Sequence, residues 1–339
     1  MPVLRDEERG TRAFVSEAAV VVDDLRKEFP VARGPRRNSA TGSPAGTVTA
    51  VDGISLRARR GEVTAVLGAN GAGKSTTLAC AQGLIRPTAG RVRLLGQDPA
   101  EAGPSLRARV GIMLQEGGLP QAIRPIPLLK HVASMYQNPL DLDGLIHRLG
   151  IDTFDRTAIR RLSGGQRQRV AMAAALVGDP EVLFLDEPSA GLDPQSRRVV
   201  FDLIRELRDE GTGIVLTTHL MDDAQRLADY VYIVDGGRNV VEGRVEELLS
   251  TGYNGQTLRF TVSAQGLSIA DLFSESLGNG LELREERGGA YELTGPLTPD
   301  HLVRLAELWK SWDELPSSFD LKPRSLEDLF LDVSGRSIR

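Results

Sequence analysis

Between Val48 and about Leu249, short apolar runs at Val63–Leu67, Val182–Asp186, Gly213–Thr218 and Tyr230–Val234 alternate with longer helix-prone stretches. That alternation predicts an α/β domain built on a largely parallel sheet. Ahead of it, the β-branched run Ala19–Val22 predicts a first strand that leads into DLRKEFP. Residues 31–46, VARGPRRNSATGSPAG, have no apolar period and are rich in Gly, Pro, Ser and Arg, which predicts a flexible loop. Residues 1–17 are charged and aperiodic and read as a loose tail. The turn-rich segment STGYNGQ, residues 250–256, is a natural boundary. Beyond it the pattern predicts strands at 257–263, 281–286, 290–294 and 317–321 and helices at 268–277, 299–312 and 325–332. A βαββαβ order suggests a small α+β, ferredoxin-like accessory domain over 257–339. There Leu302, Leu305, Ala306 and Trp309, at i, i+3, i+4 and i+7, make an apolar helix face for packing. Two roles stay open for this domain, support of a dimer and a regulatory ligand site.

Composition narrows the function classes. With 41% hydrophobic and 26% charged residues in 339, the chain has the makings of an ordinary globular core, which excludes wholesale disorder and a small disulfide scaffold. The net charge of −5 argues against nucleic acid as the ligand of the surface as a whole. Arg33, Arg36 and Arg37 in the 31–46 loop read as solvated loop charges, with contact to an anionic partner as the alternative. The lone Cys80 has no internal disulfide partner and fits a reducing compartment. No apolar run approaches the length of a membrane span. Asp6, Glu7, Glu8 and Arg9 sit where a signal peptide would be apolar, so a cytoplasmic product is expected.

Chemistry enters with Gly68, Ala69, Asn70, Gly71, Ala72, Gly73, Lys74 and Ser75, which fit G-x-x-x-x-G-K-S between the apolar strand VTAVL and a helix-prone stretch. Glycines let backbone N–H groups wrap a polyphosphate, and the following helix adds the positive end of its dipole. Lys74 supplies a point charge to the β- and γ-phosphates, and the hydroxyl of Ser75, followed by Thr76, suits Mg²⁺. A second element is VLFLDE, an apolar strand ending in two carboxylates. Asp186 at its mouth can hold Mg²⁺ through water, and Glu187 is the candidate to orient and deprotonate an attacking water.

The segment Leu162-Ser163-Gly164-Gly165-Gln166 followed by RQRVAMAAALVGDP, the carboxylate strand and Ser189-Ala-Gly-Leu-Asp193 is more specific. A Ser hydroxyl and two glycines opening a helix make an anion site with no phosphate loop of its own beside it. In this order the motifs resemble those of the ATPase subunit of an ATP-binding cassette transporter, with the match covering about Val20 to Leu249, so that residues 18–250 are expected to form its nucleotide-binding domain with a helical signature subdomain. The resemblance implies that Ser163, Gly164, Gly165 and Gln166 meet the γ-phosphate of ATP held by a second subunit. It also implies a loop glutamine at Gln115 that reaches Mg²⁺ or the attacking water, and a switch histidine at His219. Asp193 matches an aspartate that communicates across the dimer. Phe29 matches an aromatic that stacks on adenine, against the alternative of a core residue at a strand end.

The tail LKPRSLEDLFLDVSGR, residues 321–336, is similar to the end of ATPase subunits of daunorubicin-type multidrug exporters, whose membrane subunits are separate chains. The expected protein is therefore an ATPase that binds ATP and Mg²⁺, dimerises with itself or a close relative, and powers export through a permease from the cytoplasmic face of the membrane. An importer ATPase and a soluble cassette ATPase acting on ribosomes or DNA are the alternatives. The transported compound is not readable from these residues.

Overall fold

The computed structural model describes residues 18–30, 46–114, 118–250, 255–262, 281–285, 289–323 and 325–334. The expected N-terminal tail, the loop through residue 45, Gln115 and the helix at 268–277 lie outside the described residues. The chain divides into two compact units, the first running to Gly243 with a return at Val333, and the second from Arg244 to Asp332.

In the first unit, β1 (Ala18–Pro30), β2 (Thr47–Arg59), β3 (Val63–Leu67), α1 (Lys74–Ala81), β4 (Ala89–Leu94), α2 (Pro104–Arg107), β5 (Val110–Met113), α3 (Pro125–Ala133) and α4 (Leu142–Arg148) come first. Then follow α5 (Gly164–Leu176), β6 (Val182–Asp186), α6 (Pro194–Asp209), β7 (Gly213–Thr218), α7 (Met221–Leu227), β8 (Tyr230–Asp235) and β9 (Arg238–Arg244). A six-stranded sheet has the order β5-β6-β7-β3-β8-β9, and its β5 to β8 neighbours pair in parallel. All residues of β3, β6 and β7 are buried, as expected of strands covered on both faces. A second, antiparallel sheet has the order β2-β1-β4. The strand expected at Ala19–Val22 runs on through DLRKEFP to Pro30. It continues because it pairs on both edges and because register shifts around Asp24, at φ 44°, absorb the polar residues without ending the ladder.

The order of the parallel strands sets the functional geometry. β6, β7 and β3 are neighbours, so the loops that leave their C-terminal ends emerge side by side. Register aligns Asp186 with Thr217, and Thr217 with Val66. Ligands of open parallel sheets bind at such C-terminal edges.

The second unit contains α8 (Val245–Ser250), β10 (Gly255–Thr261), β11 (Glu282–Glu285), β12 (Ala290–Pro296), α9 (Pro299–Ser311), β13 (Ser318–Pro323) and most of α10 (Leu326–Ser334). Its antiparallel sheet has the order β11-β12-β10-β13, in which the hairpin strand β12 lies between the first two strands in sequence. With the expected first helix outside the described residues, this is the strand order that a βαββαβ chain would give. Leu258, Phe260 and Val262 along β10 and beyond pack with Tyr291, Leu293, Leu305 and Trp309 in one buried cluster.

Candidate active site

The loop after β3 carries the phosphate-binding residues. Gly73 caps α1 at φ 101°, and a Cβ there would stand 2.6 Å from the Ala50 carbonyl oxygen, so only glycine fits. Thr77 Oγ donates to the Gly73 carbonyl at 2.9 Å and locks the loop to the first turn of the helix. Ser75 is exposed in that turn and Thr76 half-buried. Lys74, only 7% exposed, donates from Nζ to the carbonyls of Gly68 at 2.8 Å and Ala69 at 3.1 Å. Burial pulls its pKa below the usual lysine value, while the charges of Glu187 and Asp186 oppose that shift. An electropositive group buried beside two carboxylates is thus poised for an anion.

Asp186 ends β6 and is buried, and its Oδ1 accepts from the Thr217 hydroxyl of the neighbouring strand. Glu187 follows with φ 50°, a left-handed conformation that costs a non-glycine residue about 1–2 kcal/mol. Three bonds hold it there. Its N–H donates to the Thr217 carbonyl at 3.1 Å, and its own carbonyl accepts from Ala190 N at 3.1 Å and from Gln168 Nε2 at 2.7 Å. The turned backbone brings Glu187 Oε1 within 2.9 Å of His219 Nδ1, on the loop after β7. The structure therefore gathers Lys74, Asp186, Glu187 and His219 at one sheet edge.

The remaining expected residues stand on other elements. Ser163 caps α5, with its Oγ accepting from Gln166 N at 3.2 Å and the Gln166 Oε1 accepting from Ser163 N at 3.0 Å. Such reciprocal capping holds the helix start by about 1 kcal/mol and leaves Ser163 and Gly164 exposed. No hydrogen bond among the described residues joins Ser163 or Gln166 to the phosphate loop of the same chain. Asp193 caps α6, accepting from Gln195 N at 3.0 Å, Ser196 N at 2.9 Å and Ser196 Oγ at 2.6 Å. The Ser196 hydroxyl, with the backbone N–H groups, holds its carboxyl below the usual carboxylate range. Phe29, at 39% exposure, is not a core residue; it pairs with Val48, two residues before the Ala50 that meets Gly73.

Sequence reasoning missed the residues that hold these groups. Thr217 orients Asp186, Gln168 holds the Glu187 carbonyl, and the buried Asp223 accepts from Ser189 Oγ and pairs with Arg197. Thr217 stands beside the histidine motif, and Gln168 is a polar residue among the apolar buried positions of α5, which are the signals that could have marked them.

Asp186 and the Ser75 hydroxyl offer only hard oxygen donors, and no cluster of three His, Cys, Asp or Glu among the described residues could hold an ion unaided. That set fits Mg²⁺, which binds through one or two protein oxygens together with substrate phosphates.

A family model described as ABC transporter matches residues 51–190. Over 239 residues the chain is 39% identical to the daunorubicin resistance ATP-binding protein DrrA3 of Streptomyces coeruleorubidus, covering 69% of this chain and 71% of the relative. It is 31% identical over 306 residues to the Nod factor export ATP-binding protein I of Ralstonia nicotianae, covering 87% of this chain and 92% of the relative. That share is too large to lie within the first unit alone. Among solved structures, a dimeric ATP-binding cassette in a post-hydrolysis state with ADP and Pi shares the fold, with a TM-score of 0.58 and 21% identity over 67% of this chain and 98% of that one.

Proposed function

The chain is an ATP-binding, ATP-hydrolysing member of the ATP-binding cassette transporter family, and on that premise we propose that it powers export of a drug, antibiotic or lipid-like compound through a separate permease. The names of its drug-resistance and Nod factor export relatives support the direction of transport. No helix among the described residues is long and apolar enough to cross a membrane; the permease is proposed to be a separate chain, with this one at its cytoplasmic face. Two copies, or this chain and a close relative, would act head to tail. Each composite site would join the phosphate loop Gly68–Thr76 of one subunit to Ser163, Gly164, Gly165 and Gln166 of the other, with Asp193 at the interface and Phe29 against adenine.

The observation that carries the chemistry is the Glu187–His219 pair beside buried Lys74. Loop N–H groups and Lys74 bind the β- and γ-phosphates. Glu187 orients a water in line with the γ-phosphorus and accepts its proton as the new P–O bond forms and the bond to the ADP oxygen breaks. His219, held through Nδ1, leaves Nε2 for the γ-phosphate. Ser75, Asp186 and, by resemblance, Gln115 would hold Mg²⁺, which when bound neutralises charge on the β- and γ-phosphates. Glu187→Gln should leave ATP binding intact and cut turnover at least about 100-fold, as loss of a positioned base does. Steady-state hydrolysis and nucleotide binding measured on one preparation check this, and a variant retaining a tenth of wild-type turnover would remove Glu187 from the role of base.

A further inference from the structure

Gln168 is 8% exposed on α5, the helix that opens with Ser163, Gly164 and Gly165. Its amide Nε2 donates to the main-chain carbonyl of Glu187 at 2.7 Å. The same helix meets the segment after Glu187 at a second point. A Cβ on Gly165 would lie 3.1 Å from the Gly191 carbonyl oxygen and 3.2 Å from Leu192 Cδ2, so the first turn of α5 lies directly against that loop. One end of the contact region reaches the exposed signature residues, and the other reaches a residue in a strained backbone conformation, φ 50°, whose carboxylate touches His219. Because left-handed backbone is unfavourable for glutamate, its geometry depends on what surrounds it. The Glu187 carbonyl has two bonds, one of them local, from Ala190 N, and one from Gln168. The bond from Gln168 ties the Glu187 main chain to α5, as its N–H bond to the Thr217 carbonyl ties it to β7.

We propose that Gln168 is a positioning residue that sets the Glu187 backbone, and that through it the signature helix of a chain controls the carboxylate of that same chain. The inference rests on the shared-site reading above and adds a consequence to it. The signature turn of α5 serves the nucleotide on the partner's phosphate loop, whereas Gln168, on the same helix, serves the nucleotide on its own. Engagement of one composite site is thereby felt at the catalytic carboxylate of the other, through a rigid helix with a hydrogen bond at its far contact.

Gln168→Met keeps the length and apolar packing of the side chain and removes the donor; Gln168→Glu replaces the donor with an acceptor facing the Glu187 carbonyl. In the full-length protein, both should lower kcat about 10-fold or more, Glu more than Met, with the affinity for ATP and the melting temperature of the Met variant within about twofold and 2 °C of wild type. An unchanged kcat, or a fall in kcat matched by equal losses of ATP affinity and stability, would overturn the proposal.

Mixed dimers, isolated with two tags, locate the defect. Gln168→Met in one chain and Ser163→Arg in the other should place both defects in one composite site and restore part of the turnover that each homodimer lacks. Gln168→Met against Lys74→Ala should damage both sites and restore none. The reverse pattern would assign Gln168 to the signature function alone and sink the proposal. The control pair Lys74→Ala with Ser163→Arg carries no change at Gln168, and its failure to recover turnover would count against the shared-site reading separately. In that event the kcat and affinity of Gln168→Met still decide whether Gln168 positions Glu187.

Discussion

Lys74 is a cation placed where burial disfavours it, and its ammonium is bonded to two carbonyls of its own loop. Those bonds close the phosphate loop, and the charge remains close enough to Asp186 and Glu187 to be supported by them. Lys74→Ala should therefore weaken ATP binding about 10- to 100-fold, the usual worth of a hydrogen bond to a charged group, while Glu187→Gln leaves affinity in place. Titration with a fluorescent ATP analogue separates the two, and full affinity in Lys74→Ala would remove it from phosphate binding. Lys74, Asp186, Glu187 and His219 were legible because each stands in a short segment whose residue types carry its chemistry. Thr217, Gln168 and Asp223 were not, because the partner each one holds is distant in the chain and becomes its neighbour only once β6 and β7 pair and α5 packs against the loop after β6.

At the scale of elements, the apolar runs at β3, β6, β7 and β8 read directly as strands because burial on both faces leaves no polar alternation to confuse them. The length of β1 was hidden, since DLRKEFP is polar and its pairing is supplied by β2 and β4 rather than by its own pattern. Strand order was hidden too, yet it is what sets the loops after β3, β6 and β7 side by side. An ion cluster ties the ends of these strands: Glu181, just before β6, accepts from Arg109 Nε at 2.5 Å and Nη2 at 3.0 Å and also pairs with Arg60, just before β3. The Arg109 hydrogen bond, aided by Arg60, pulls the Glu181 carboxyl down to about 2 from 4.5. A depressed carboxyl pKa stabilises the fold at pH values above its unfolded pKa, and that contribution is lost as pH falls through the folded one. Glu181→Gln should accordingly cost about 1–2 kcal/mol at pH 7, allowing for partial exposure of the pair. The difference from wild type should shrink from about pH 4.5 downward and be nearly gone by about pH 2. Urea unfolding at several pH values measures it, and a constant difference across that range would mean that the charge on Glu181 adds no stability.

For the whole molecule, the two compact units carry different burdens. The residues assigned to nucleotide chemistry all lie before Gly243, while the second unit has its own buried cluster and its own sheet. In that cluster Trp309 stands edge-on to Phe260 at 5.4 Å and to Phe319 at 5.8 Å, and it is the largest side chain that α9 delivers to the sheet. Among the described residues its Nε1 is buried without a hydrogen-bond partner, and the residue contributes area and ring contact. Trp309→Ala should cost about 3–5 kcal/mol, a large share of what so small a core supplies, and should melt the second unit well below the first. Trp309→Phe, which sheds the unpaired N–H and keeps a ring, should cost far less. A non-hydrolysable ATP analogue at 100 times its Kd stabilises whatever binds it by about 2.7 kcal/mol, and that gain should appear only in the transition of the first unit. Calorimetry of wild type and Trp309→Ala with and without the analogue tests this: two transitions, of which the ligand moves one and the substitution the other. If the ligand moved both transitions together, or if Trp309→Ala abolished the ligand's shift, the second unit would be part of the nucleotide-binding structure, and its role would have to be sought in the site itself.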